Sequence, residues 1–265
     1  RRSSDLDPVA ANNTGIVNED ATLSVSDGAS ANSITTAAAS HDSSPFDISG
    51  QEASASAVQF NNDGTKMFVT GSGGDDVNEY TLSTAFDVST ASFVDSFDYS
   101  SQETNARALA FNNDGTKMFV MGTGGDDVNE YTLSTGFDVS TASFVDSYYL
   151  GFGFNPYGIT FNSDGTKMFV VGDTGNDVNE YTLSTGFDVS TASFVDSFDV
   201  SSQETTPGGL AFNTDGTKMF VVGNAGDDVN EYTLSTGWDV STASFVDSFD
   251  RSEERRVGKE CPLLC

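Results

Sequence analysis

Phe111-Asn112-Asn113-Asp114-Gly115-Thr116-Lys117-Met118-Phe119-Val120 is an apolar end, a polar turn and an apolar return, and its recurrence decides the fold. The same phrase begins at Phe60, Phe161 and Phe212, at spacings of 51, 50 and 51 residues. A fixed period in this range is the mark of a repeat architecture, in which neighbouring units share one continuous core. Asp-Gly between two apolar runs is a hairpin turn, because Gly accepts the positive φ that the turn needs. Ala108–Phe111 and Lys117–Met121 therefore read as paired strands.

Working outward, Gly122 to Asp127 turns the chain again. Val128 to Leu133 alternates in the period of a half-buried strand, and Ser143 to Ser147 makes a fourth after a loop over 134–141. No segment has a helical period. Four antiparallel strands per unit, repeated radially, predict an all-β chain: a β-propeller of four four-stranded blades over 46–96, 97–147, 148–197 and 198–250. A solenoid coil has a shorter period, and fifty residues are too few for a string of independent sandwiches. Phe249-Asp250 opens another Phe-Asp phrase like Phe198-Asp199, so the ring is expected to be incomplete.

Residues 7–45 are poor in large apolar groups and read as a polar linker or a degenerate half-unit. Within them, Asp7 to Gly28 resembles the opening strand of the cadherin-like and VCBS-type repeats of bacterial adhesins. Arg1 to Leu6 and Arg251 to Cys261 resemble translated sequencing adapter in opposite orientations. Residues 1–6 and 251–265 are therefore set aside as artefact, and the natural segment is read as a fragment of a longer, environmentally sequenced gene. At the phrase F-N-x-D-G-T-K-M-F-V the blades resemble the lactonase-like and YVTN-type bacterial surface propellers, with Asn-x-Asp-Gly in place of those families' Pro-Asp-Gly.

The full chain has 11 Lys+Arg against 40 Asp+Glu, a net charge of −29. Such acidity excludes nucleic acid as a partner, since affinity for phosphate comes from Lys and Arg. It disfavours an anionic membrane surface, and no apolar run is long enough for insertion. Both cysteines, Cys261 and Cys265, lie in the set-aside tail, which leaves no disulfide or thiolate site. The expected setting is secretion or the bacterial cell surface, with an unidentified protein or glycan as ligand.

For chemistry, the lone histidine is His41, in the linker, and no base accompanies the many Ser and Thr. Near-identical blades present only a ring of like groups, so the expectation is no enzyme but a non-catalytic binding or display scaffold. The alternative is a fragment of a lactonase-like or other hydrolytic propeller whose catalytic blades lie elsewhere. The loops between second and third strands hold Asp75, Asp76, Asp126, Asp127, Asp173, Asp177, Asp227 and Asp228, on a face expected to share Glu52, Glu103 and Glu204. These aspartates either build turns or hold weakly bound Ca²⁺. Lys66, Lys117, Lys167 and Lys218 are read as solvated positions pairing with Glu79, Glu130, Glu180 and Glu231. The third connection departs from the others with Tyr148, Tyr149, Phe152, Phe154 and Tyr157, either a ligand platform or aromatics packed between blades.

Overall fold

The computed structural model describes residues 45–151, 154–226 and 228–250. The linker, the two ends, His41, Phe152 and Asp227 lie outside the described residues, as does the adhesin-like segment.

Each blade is one antiparallel sheet whose hydrogen-bonding order follows the chain. The first comprises β1 (Ala55–Phe60), β2 (Lys66–Gly71), β3 (Asp76–Leu82) and β4 (Ala91–Asp98). The second comprises β5 (Ala106–Phe111), β6 (Lys117–Gly122), β7 (Asp127–Leu133) and β8 (Ala142–Tyr149). The third comprises β9 (Pro156–Phe161), β10 (Lys167–Gly172), β11 (Asp177–Leu183) and β12 (Ala192–Asp199). The fourth comprises β13 (Pro207–Phe212), β14 (Lys218–Gly223), β15 (Asp228–Leu234) and β16 (Ala243–Asp250). The first strands pack side by side, β1 on β5, β5 on β9 and β9 on β13, and so form the inner wall of the arc. The four sheets remain separate, and hydrogen bonds among the described residues do not close the ring. The fourth strand runs two residues past Ser96, so Phe97-Asp98 and their counterparts end one blade rather than open the next.

The Asn-x-Asp-Gly-Thr turn supplies its own partners. In the second blade Asn112 Oδ1 accepts the Lys117 N–H at 2.9 Å, and Asp114 Oδ1 accepts the Thr116 N–H at 3.0 Å. Gly115 has φ +71°, and a Cβ there would lie 2.3 Å from the Phe137 ring. Phe137 itself has φ +58°, a left-handed conformation that is unusual for a bulky residue. Its ring holds it there, filling the space between Phe111 of its own blade and Phe68 of the preceding one. Phe86, Phe187 and Trp238 share the conformation.

The blades are joined by a charged bolt as well as by packing. Glu79 is buried on β3; its Oε1 pairs with Lys66 Nζ at 2.7 Å, and its Oε2 accepts the Val139 N–H of the next blade at 3.0 Å. Lys66 Nζ also donates to the Phe137 carbonyl across the interface, at 2.6 Å. Glu130–Lys117 reaches Val189 and Phe187, and Glu180–Lys167 reaches Val240 and Trp238, in the same way. The Lys–Glu pairs expected from the sequence exist, but they are not solvated surface pairs: Glu130 is 1% exposed. A carboxylate this deeply buried persists only with its full set of partners.

Candidate functional site

Positions on β2, β3 and β4 and their counterparts repeat almost without change, whereas the inner strands do not. These read ASAVQF, ARALAF, PYGITF and PGGLAF. One position is the most varied of all: Ser56, Arg107, Tyr157 and Gly208 occupy equivalent places on β1, β5, β9 and β13. The chain there forms an irregular step in its pairing with the second strand, between Ala106 and Ala108 in the second blade. Such bulges re-aim side chains.

Arg107 is the only arginine among the described residues. Its guanidinium carbon stands 5.4 Å from the centroid of the Tyr157 ring on the adjacent inner strand. A cation over an aromatic face is held electrostatically without losing its N–H donors. Its Nε is enclosed and meets no hydrogen-bond acceptor among the described residues. Next to it in the arc, Ser56 is small and donates to the Ala106 carbonyl at 2.7 Å, while Gly208 leaves open space on the far side of Tyr157. The arrangement offers a planar, permanently charged donor with free valence on the inner wall, suited to a carboxylate, a phosphate or a developing oxyanion.

The aromatic connection is thus divided. Tyr157 joins the arginine; Tyr148 packs edge-on to Tyr181 at 5.5 Å; Phe154 lies against the core between blades; Tyr149 is 55% exposed. Of the described residues expected to form one platform, the structure brings only Tyr157 to the inner wall. Arg107 is legible in the sequence as the sole arginine between the two ends of the chain, but it stands outside the repeated phrase that defines the blades.

The acidic face is corrected more strongly. Glu52, Glu103 and Glu204 are buried, each folded back onto the loop of its own blade. Glu103 Oε1 accepts the N–H groups of Asn105 and Gly124 at 2.7 and 2.9 Å, and Oε2 that of Gly125 at 3.3 Å. They close loops rather than line a surface. Asp76, Asp127 and Asp228 accept hydrogen bonds from Asn78, Asn129 and Asn230. Asp75 and Asp126 take left-handed φ of 54° and 52° at the turns, while Asp173 lies on the corresponding loop of the third blade. Burial holds the carboxyls of Asp76, Asp127 and Asp177 above the ordinary aspartate range, reinforced by neighbouring carboxylates. No group of three or more His, Cys, Asp or Glu is placed to hold one metal ion among the described residues. No helix among them is long and apolar enough to cross a membrane.

No protein-family model matches the sequence, and no curated protein sequence does. Among solved structures, a protein of Bacteroides fragilis named as a candidate 6-phosphogluconolactonase superposes with a TM-score of 0.54 at 13% identity, over 74% of this chain and 55% of that one. A protein of Bacteroides uniformis named in the same way gives 0.51 at 12%, over 72% and 55%. A protein of Lactobacillus plantarum gives 0.53 at 15%, over 74% and 55%. The chain spans about half the length of these structures, and the likeness establishes a shared propeller fold. It also overturns the expectation that this is not an enzyme: the fold is one carried by proteins named as lactonases. The argument from identical blades fails for a physical reason, since the blades differ on the inner wall, where a ring of like groups was expected.

Proposed function

We propose that these blades are part of a propeller hydrolase that opens the lactone ring of an acidic sugar derivative, with Arg107 as the residue that holds the reacting oxygen. The observation that carries this reading is the Arg107 guanidinium set over Tyr157 on the inner wall: its Nε is enclosed, so its terminal N–H groups are the ones left to meet a substrate oxygen. In lactone hydrolysis water adds to the carbonyl carbon, the ring C–O bond breaks, and a hydroxy acid leaves. Negative charge gathers on the carbonyl oxygen in between. A preorganised donor aimed at that oxygen is worth about 10²–10³ in rate. Tyr157 fixes the plane of the guanidinium and offers an apolar face to the sugar ring. The names of the Bacteroides neighbours support the substrate class. Because the chain spans about half of those structures, the remaining groups of a complete site are expected on further blades. An acidic composition whose only two cysteines lie in the last five residues fits a secreted setting.

The test is a pH-stat assay of the purified chain on gluconolactone and on its 6-phosphate. The reading expects hydrolysis above the spontaneous rate with at least one of them. A rate equal to the spontaneous one with both substrates, at enzyme concentrations near that of the substrate, counts against it.

A further inference from the structure

The phrase that defines the blades varies at one place only. Its third residue is Asn62, Asn113, Ser163 and Thr214 in turn, and the residue just before the phrase is Gln59, Ala110, Thr160 and Ala211. These departures lie at the turn end of the inner wall, about 10 Å along β5 from Arg107. The third-position amides step from blade to blade: Asn62 Nδ2 donates to the Asn113 carbonyl at 2.6 Å, and Asn113 Nδ2 donates to the Ser163 carbonyl at 2.6 Å. The series stops at Ser163, whose side chain is too short to carry it to the fourth blade.

Five of these eight residues, Gln59, Ala110, Asn113, Thr160 and Ser163, line one hollow of about 160 Å³ walled by the first three blades. That is room for about five waters, or for one six-membered sugar ring. Ala110 is small, so the space between Gln59 on one neighbouring strand and Thr160 on the other stays open. The rings of Phe111, Phe161 and Phe187 complete the lining, the last two 5.4 Å apart. None of the lining residues carries a charge, in a chain whose net charge is −29. Among the described residues, the Gln59 amide and the hydroxyls of Thr160 and Ser163 meet no hydrogen-bond partner.

We infer that this hollow binds an uncharged, hydroxyl-rich molecule the size of one sugar ring, at a site separate from Arg107. An anion finds no cation in the lining and meets the repulsion of an acidic chain. A cation finds no carboxylate there. An uncharged sugar uses what is present: the Gln59 amide and the two hydroxyls both donate and accept, and so match hydroxyl groups in either sense. The aromatic rings offer an apolar surface to its C–H face. A few placed polar groups on an otherwise apolar wall are what a small-molecule site requires. Binding here does not require Arg107 to be catalytic, and it depends on the first three blades rather than on what adjoins either end of the arc.

The experiment is an NMR titration of the full chain with D-glucose, D-galactose and D-mannose, and with glucose 6-phosphate as the charged counterpart. At least one neutral sugar is expected to bind with a Kd of about 1 mM, the affinity that about twelve heavy atoms of ordinary efficiency provide. The phosphate should bind at least about tenfold more weakly than that sugar. Thr160→Val and Gln59→Leu, both at half-buried positions, should each weaken the sugar about fivefold while the melting temperature stays near that of the wild type. Thr160→Ser keeps the hydroxyl and should keep most of the affinity. Arg107→Ala should leave the affinity within about twofold, because the arginine lies outside the hollow. Failure of all three neutral sugars to bind below about 50 mM overturns the inference. So does binding that is indifferent to Gln59 and Thr160, that is lost with Arg107, or that is as tight for the phosphate.

Discussion

Two regions of this molecule follow different rules. β3, β7, β11 and β15 share one sequence, DVNEYTL, whereas β1, β5, β9 and β13 agree at only a few positions. The repeated strands carry what every blade needs to grip the next: the buried glutamate, its lysine and the stacked aromatics. The inner strands have no such common duty, since each faces the axis from a different direction. Their variation is where an arginine and a tyrosine can stand together without being copied four times. Repetition marks the scaffold, and departure from it marks the candidate site.

The largest effect that separates the two regions is expected at the bolts. Glu130→Gln removes the charge that satisfies Lys117 and strands the lysine in a half-buried interface, which should cost about 3–5 kcal/mol in urea unfolding. Glu231→Gln makes the same change on blade four, where the pair with Lys218 is more exposed and bonds to no further blade among the described residues, and should cost less than about 1 kcal/mol. Equal losses would mean that position in the arc does not matter, and that the bolt acts within a blade rather than between blades.

Next in size is Gly115→Ala. The new methyl meets the Phe137 ring at a left-handed backbone position, and a loss of about 1–3 kcal/mol is expected, read as a lowered melting temperature. Activity should survive at temperatures well below the melt, since the turn lies on the repeated scaffold.

Acid should act on the aspartates in two opposed ways. Asp76, Asp127 and Asp177 have carboxyls raised by burial, so protonation on descent from neutral pH relieves a cost and favours the folded state. Asp63, Asp114, Asp164 and Asp215 are lowered by the hydrogen bonds of their turns, so their contribution is full above the ordinary aspartate value and is lost as pH falls below it. Urea midpoints between neutrality and pH 3 should therefore pass through a shallow maximum on the acid side before falling. A steady fall from pH 7 would show that the loop aspartates are not strained. The tyrosines on the third strands differ in the same sense: burial pushes Tyr232, on blade four, up to about 12, and Tyr131 and Tyr181 further.

The smallest effect is the one that the acidic loops predict. Weak calcium binding there should raise the melting temperature by a few degrees at millimolar ion, beyond magnesium at equal ionic strength, and Asp127→Asn with Asp228→Asn should reduce the gain. Equal effects of the two ions would reduce these aspartates to turn residues.

Much of this scaffold was legible in the sequence, because its causes are local and repeated. Asp114-Gly115 dictates a turn, and the alternation after Val128 dictates a strand with one face buried. What could not be read was which surfaces the blades hide from one another. Glu79 and Glu103 look like solvated acids in any single repeat, and only the stacking of blades turns one into a bolt and the other into a loop clasp. Arg107 shows the converse: it was visible as an oddity, but its meaning depends on Tyr157, fifty residues away and adjacent only once the inner strands assemble.

The central claim is that stability lives on the repeated strands and chemistry on the inner wall. Arg107→Ala tests it most directly when thermal melting and lactone hydrolysis are measured on the same preparation. The account predicts a melting temperature within about 2–4 °C of wild type and a kcat/KM lower by at least about 100-fold, with partial recovery in Arg107→Lys. A variant that melts much earlier, or that hydrolyses the lactone as fast as the wild type, would contradict it.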